Sequence, residues 1–135
     1  MKKTYHLAVG LAAAAALLTA CAGTPGKGAQ AAFTPGKFRN GDTVAIFNPD
    51  GTFVGTTAQG ADWVKGTYVV NGNEVTFEDT WEATALTERM GKSCLGIKGR
   101  YSWTLVGDVM TATAIDDPCE GRNRGTSGIP WTRMR

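Results

Sequence analysis

The 135-residue chain has 14 basic and 12 acidic side chains, three cysteines and one histidine, His6. Lys2, Lys3 and His6 lie in a segment that we expect to be removed, which leaves 12 basic residues, 12 acidic residues and no histidine. This excludes Ser-His-Asp and Cys-His nucleophiles, histidine-ligated zinc or haem, and the basic footprint of a nucleic-acid-binding protein. No Ser-x-x-Lys motif supplies another base, so we predict a protein that is not an enzyme and has no metal or other cofactor.

The first segment has the order of a bacterial export signal. Lys2 and Lys3 precede an apolar run over residues 7–18, which only Gly10 interrupts. The run has 12 residues and is short for a helix that crosses a bilayer. A cleaved signal peptide over residues 1–20 is therefore favoured.

Leu18-Thr19-Ala20-Cys21 closes this segment and resembles the lipobox of bacterial lipoproteins. In that family the signal is cut before the cysteine, which is then acylated with lipid such as palmitate. The resemblance implies a lipidated Cys21 and a membrane-anchored, extracytoplasmic protein of the cell envelope. Ala22 after the cysteine implies the outer membrane if the host has two membranes. An ordinary signal peptide with an incidental Cys21 is the alternative.

The next segment reads as a tether followed by one domain. Residues 22–36, AGTPGKGAQAAFTPG, are rich in Ala, Gly and Pro, which is typical of a flexible linker. With the cysteine included, we predict a tether over residues 21–36. The remaining length fits a single domain over residues 37–135.

Short β-rich runs alternate with turn signals through this domain. The clearest turns are Asn48-Pro49-Asp50-Gly51, Asn71-Gly72 and Gly107-Asp108. Residues 81–90, WEATALTERM, suit either a helix or a strand, and we predict a strand over 81–87. The eight predicted strands are then 43–47, 52–57, 63–70, 73–78, 81–87, 99–106, 109–115 and 131–134.

The strand pattern predicts an all-β fold. Alternation places Tyr68, Phe77, Tyr101 and Trp103 on the buried faces of their strands. Eight antiparallel strands with short turns favour an up-and-down barrel, because closure removes exposed sheet edges. A barrel of this size is either packed solid or holds one small ligand. A two-sheet sandwich is the competing architecture.

Two cysteines remain if Cys21 carries lipid. Cys94 and Cys119 are then an even pair in a compartment that permits disulfides, and we predict a bridge between them. Two free thiols are the alternative. A metal site with only two sulfur ligands would be poor.

The domain also resembles a family of small bacterial lipocalin-like, or calycin, domains. The similarity covers residues 37–135 and implies a lipocalin-like barrel with an apolar interior, common in exported proteins. Phe38 stands where lipocalins proper have Trp, and the chain is short for a ligand carrier. The resemblance is carried by GTYVVNGNEVTFED at 66–79, by the region of Cys94 followed by GRYSW at 99–103, and by DDPCEGR at 116–122 with a late Trp131.

Arg122 can act in two ways. It can meet a buried carboxylate or stack on Trp103 or Trp131, which is a structural role, or it can form an anion clamp with Arg124. Asp116 and Asp117 before Pro118 are expected to cap a turn.

These observations predict a membrane-anchored β-barrel module that binds a small apolar ligand. The alternative is an envelope protein-interaction or inhibitor module, as in lysozyme-inhibitor lipoproteins, with a solid core and no ligand. The predicted partners are the membrane, through Cys21, and an apolar ligand or an envelope protein, but no nucleic acid. The candidate ligand-binding residues are Tyr68, Phe77, Tyr101, Trp103 and Arg122.

Overall fold

The computed structural model describes residues 32–135, so the predicted signal peptide, Cys21 and most of the predicted tether lie outside the described residues. In this part of the chain, no helix is long and apolar enough to cross a membrane. The elements follow in the order β1 (Gly36–Asn40), β2 (Thr43–Phe47), β3 (Thr52–Thr57), β4 (Asp62–Asn71), β5 (Glu74–Glu82), α1 (Thr84–Met90), β6 (Lys98–Val106), β7 (Val109–Asp116), α2 (Glu120–Thr126) and β8 (Ile129–Arg133).

The eight strands form a closed barrel in chain order, each antiparallel to the next. Closure is made between the first and last strands, where Phe38 pairs with Arg133 and Arg39 with Thr132. Every strand therefore has two partners, and no edge stays open for pairing with another chain. The predicted all-β, up-and-down barrel of eight strands is confirmed, and the two-sheet sandwich is excluded.

The up-and-down order places alternate connections at opposite ends of the barrel. The helix end carries α1, between β5 and β6, and α2, between β7 and β8. The opposite end, which we call the plugged end because the Phe33 ring packs into it, carries the β2–β3, β4–β5 and β6–β7 turns. The chain enters β1 at this plugged end, with Phe33 just before the strand.

The predicted turns have the geometry that their residues favour. In the β2–β3 turn, the Asp50 carboxylate accepts hydrogen bonds from the Thr52 backbone N–H at 2.9 Å and the Thr52 hydroxyl at 2.6 Å. Gly72 in the β4–β5 turn has a φ of 60°, which glycine adopts without the steric cost that other residues meet. These turns fix the register in which Tyr68 pairs with Phe77.

Aromatic side chains dominate the barrel interior. Phe47 alone packs against the rings of Phe38, Phe53, Tyr68 and Phe77, with centroids 5.3 to 6.3 Å apart. The predicted alternation of buried and exposed positions is confirmed on β4, β5 and β6. The buried core consists of Phe38, Phe47, Phe53, Tyr68, Val75, Phe77, Tyr101, Trp103, Met110 and Ala112.

The strand predicted over residues 81–87 is wrong. β5 ends at Glu82, and α1 follows over Thr84–Met90. The segment contains good helix formers, and Gly91 ends the helix with a φ of 83° and a hydrogen bond from its N–H to the Thr87 carbonyl.

β1 was not predicted. The predicted number of eight strands is correct, because β1 is present and the separate strand predicted over residues 81–87 is absent. Phe38 is the one fully buried residue of this five-residue strand, too few for a readable alternation.

Candidate functional site

A disulfide holds the two connections of the helix end together. Cys94, in the segment after α1, is bonded to Cys119, which directly precedes α2, with Cα atoms 5.6 Å apart. Both cysteines are fully buried. The Glu82 carboxylate at the end of β5 accepts hydrogen bonds from the Cys94 N–H at 2.8 Å and the Ser93 hydroxyl at 2.7 Å. The bridge predicted from the cysteine count is confirmed.

Arg122, on α2, is the centre of a buried polar cluster. Its guanidinium donates two hydrogen bonds to the Asp117 carboxylate, from Nε at 2.8 Å and from Nη2 at 2.9 Å, and one to the Ile97 carbonyl at 2.8 Å. Nη1 forms an ion pair with Asp79 Oδ2 at 3.2 Å. A buried carboxylate was one of the contacts that the sequence left open for Arg122. The bidentate pair with Asp117 fixes the orientation of the guanidinium plane.

The Asp117 carboxylate is stabilised in its ionised form. Its other partners are the Tyr101 hydroxyl and the Cys119 N–H, so it also caps the turn before α2, as predicted. Burial opposes ionisation, but hydrogen bonds from Arg122 and Tyr101 hold the pKa of Asp117 below its ordinary value. Burial raises the pKa of Tyr101, and its bond to Asp117 raises it further, so the phenol stays protonated.

The negative charge of Asp79 is less well stabilised by its surroundings than that of Asp117. It is 3% exposed, and burial raises its pKa to about 6, although Arg122 acts in the opposite direction. Within residues 32–135, Asp79 Oδ1 and Arg122 Nη1 have no hydrogen-bond partner. Buried polar atoms are usually paired, so two such atoms in adjacent side chains require an explanation.

Asp79 and Arg122 both line a cavity at the helix end. Its volume is about 490 Å³. The deeper walls are apolar and include Phe47, Phe53, Phe77, Met110 and Ala112. Side chains from the two helices and neighbouring strands complete it, among them Trp63, Leu86, Arg89, Met90, Arg124 and Trp131.

The plugged end is filled instead. The Phe33 ring lies 5.4 Å from the rings of Phe47 and Tyr68 and 5.2 Å from that of Trp103. The Tyr68 hydroxyl donates to the Asn48 carbonyl at 2.6 Å, and the Trp103 indole N–H donates to the Gly72 carbonyl at 3.1 Å. The polar atoms of these side chains are thus bonded to the turns, while their rings pack on one another.

The candidate ligand-binding residues do not form one site. Phe77 and Arg122 line the helix-end cavity, whereas Tyr68 and Trp103 border a separate depression beside Phe33. That depression is larger, about 800 Å³, but it is more open to solvent than the cavity. Tyr101 is fully buried between the ends and lines neither space.

Sequence reasoning did not identify Asp79 as part of a site. The signal was present, because Asp79 continues the alternation of Val75 and Phe77 on the interior face of β5. Stacking on an aromatic ring, the other structural contact left open for Arg122, is seen at Arg133, whose guanidinium lies 4.5 Å from the Phe38 ring centroid.

One group of acidic and cysteine residues has metal-like spacing. The ligand atoms of Asp79, Glu82 and Cys94 lie within 4.8 Å of one another. The Cys94 sulfur is bonded to Cys119, however, and the Glu82 oxygens already accept hydrogen bonds from the segment after α1. What remains is too few free ligands for a metal site.

No protein-family model, curated protein or solved structure matches this chain.

Proposed function

We propose that this chain is a membrane-anchored, extracytoplasmic lipoprotein whose lipocalin-like barrel binds a small, largely apolar ligand in the helix-end cavity. The observation that carries the proposal is the cavity itself. Its volume of about 490 Å³ lies within the usual range for small-molecule sites, roughly 300–1,000 Å³. Apolar and aromatic walls with a few polar groups are typical of such sites.

The packing of the helices supports ligand exchange at this end. None of the described residues of α1 is fully buried, although Leu86, Arg89 and Met90 line the cavity. In α2, Arg122 is the buried residue. Arg122 and the Cys94–Cys119 bridge therefore hold α2 in place, whereas α1 covers the cavity without adding to the core and can move at lower cost to admit a ligand.

Titration with a neutral apolar dye, N-phenylnaphthylamine, tests ligand binding. We expect saturable binding with quenching of tryptophan emission, because Trp63 and Trp131 line the cavity. Ala112→Leu places a larger side chain in the apolar wall and should weaken binding at least tenfold. Val69→Leu, on an exposed position of β4, is the matched control and should bind like the wild type.

A second variant tests the same prediction in case Ala112→Leu does not fold. A Cβ at Gly125 would meet nothing within 4 Å, and Gly125 lines the cavity from α2. Gly125→Leu should therefore fold, since leucine is the better helix former, and still reduce dye binding. A folded wild type that binds no dye would reject the proposal and favour the protein-interaction or inhibitor module.

The anchor is tested separately, because Cys21 lies outside the described residues. Buried acyl chains contribute about 0.8 kcal/mol per CH₂, and two or more chains hold a protein stably on a membrane. Cys21→Ser should move the protein to the soluble fraction or leave an unprocessed precursor, whereas Thr24→Ser in the tether should change neither. Normal processing and membrane retention of Cys21→Ser would remove the anchor from the proposal.

A further inference from the structure

The two buried atoms without hydrogen bonds lie in side chains of the cavity wall. Asp79 is 3% exposed and Arg122 8% exposed, and each residue contributes to the lining. The two atoms themselves are closed to solvent, so a head group reaches them only when the side chains around them shift. Asp79 Oδ1 can only accept a hydrogen bond when the carboxyl is ionised, and Arg122 Nη1 can only donate one. Arg122 Nη1 lies 3.2 Å from the other oxygen of Asp79, so the donor Nη1 and the acceptor Oδ1 are neighbours.

The charges around this pair disfavour an anionic head group. The Arg122 guanidinium already faces two carboxylates, Asp117 and Asp79, and Glu82 lies near enough to Asp79 to raise its pKa. A ligand carboxylate would be a third anion on one buried arginine, where repulsion is strong because solvent screening is weak. The anion clamp considered from the sequence is therefore disfavoured at Arg122.

The other two arginines of the cavity have contacts of their own. Arg124 pairs with Glu120 at 3.9 Å and donates to the Met90 carbonyl at 3.5 Å. Arg89 lies over the Trp63 ring, 5.8 Å from its centroid. Both disfavour a cationic head group, since either would repel it.

We propose that the cavity takes a neutral amphiphile, head group first, whose head group accepts a hydrogen bond from Arg122 Nη1 and donates one to Asp79 Oδ1. A primary carboxamide is the simplest group with this pattern, and its apolar body lies against Phe47, Phe53 and Phe77. This inference rests on the proposed ligand-binding function and specifies the chemical class of the ligand.

Three probes with the same apolar chain test it by displacement of N-phenylnaphthylamine from the full-length protein. Octanamide offers a donor and an acceptor, methyl octanoate offers acceptors alone, and octanoate is charged at about pH 8. We expect octanamide to bind about tenfold or more tightly than each of the others, because a site built for hydrogen bonds discriminates against groups that leave it unpaired.

Asp79→Asn separates charge from shape. The variant keeps the size of the side chain and removes one negative charge, so octanoate should gain affinity and the amide-over-octanoate preference should fall about tenfold. Asp62→Asn removes a negative charge at an exposed position of β4 outside the cavity, so it is the matched control and should leave the order of the three probes unchanged. Circular dichroism and thermal unfolding confirm that each variant is folded.

Each outcome is decisive. Equal affinities of the wild type for the three probes would overturn the head-group assignment and leave the apolar cavity standing. Tightest binding of octanoate, lost in Arg124→Gln, would place the head group at Arg124 and also overturn the assignment. A wild type that binds the dye but none of the probes contradicts the inference alone, whereas failure to bind the dye contradicts the proposed function as well.

Discussion

The interior of the barrel is closed differently at its two ends. At the plugged end, Phe33 inserts among Phe47, Tyr68 and Trp103, and the polar atoms of the last two bond to the turns. At the helix end, two short helices and a disulfide cover a cavity whose wall contains the buried ion pair of Arg122 with Asp79. One end of the barrel is therefore closed by packed side chains, and the other retains a cavity.

The largest expected effect comes from a matched pair of tryptophan truncations. Trp103→Ala should destabilise the protein by about 3–5 kcal/mol, because it leaves a void in a packed region. Trp131→Ala should cost much less, about 1 kcal/mol, since that half-buried side chain already borders the cavity. Urea unfolding of both variants measures the difference, and equal losses would show that the two ends are packed alike.

The next largest effect is expected from the disulfide. Replacing Cys94 and Cys119 together by Ala should lower stability by about 3 kcal/mol, which is typical for a loop of this size. Hydrogen exchange should then increase in α1 and α2 far more than at Trp103. Uniform loss of protection through the barrel would contradict the view that the bridge acts on the helix end.

The helix end should also make stability depend on pH. The pKa of Asp79 is raised from 3.8 to about 6 in the folded protein, so the folded state holds this proton more tightly than the unfolded chain does. Its contribution is fully present below pH 3.8 and is lost as the pH rises through about 6. Stability should therefore increase by roughly 1–3 kcal/mol on acidification from neutral pH towards pH 4.

Asp117 opposes this trend at lower pH. Its pKa is lowered in the folded state, so its contribution is present above 3.8 and is lost as the pH falls below that value. Asp79→Asn should remove the gain between pH 7 and pH 4 and keep the loss below it. Denaturant unfolding across this range measures both, and an unchanged slope in the variant would assign the pH dependence to another group.

The smallest expected effect concerns Phe33, whose ring packs into the plugged end. Phe33→Ala should cost roughly 1–2 kcal/mol, because the ring is half-buried and its neighbours keep their bonds to the turns. Dye affinity at the helix end should stay the same. A large loss of dye binding would mean that Phe33 helps to form the ligand site, and the two ends would no longer be independent.

Local patterns were enough to predict most of the barrel. Asn71-Gly72 and the alternation of Tyr68 with Phe77 across it predict a hairpin because turn type and side-chain period are set within a few residues. Residues 81–87 were misassigned because their composition suits both states, and the helix is decided by Gly91 and by the packing of α1 near α2. The resemblance to lipocalin-like domains stays a prediction.

The site was harder to predict than the fold. The sequence identified Arg122 and left a buried carboxylate, an aromatic ring and a ligand anion open as its contact, and the partner Asp79 lies on β5, 43 positions earlier in the chain. Whether a barrel is filled depends on the summed volumes of side chains from all eight strands. It also depends on residues outside the strands such as Phe33, which lies in the segment that was predicted to be a tether. No short sequence pattern determines this total volume.

The position at which the chain enters the barrel has a consequence for how a ligand would arrive. β1 begins at the plugged end, and the 12 residues from Cys21 to Ala32 reach at most about 40 Å. If Cys21 carries a lipid, the anchor is therefore attached on the side of the barrel opposite the cavity. The mouth of the cavity would then lie away from the attachment point, so the tether would not obstruct an arriving ligand.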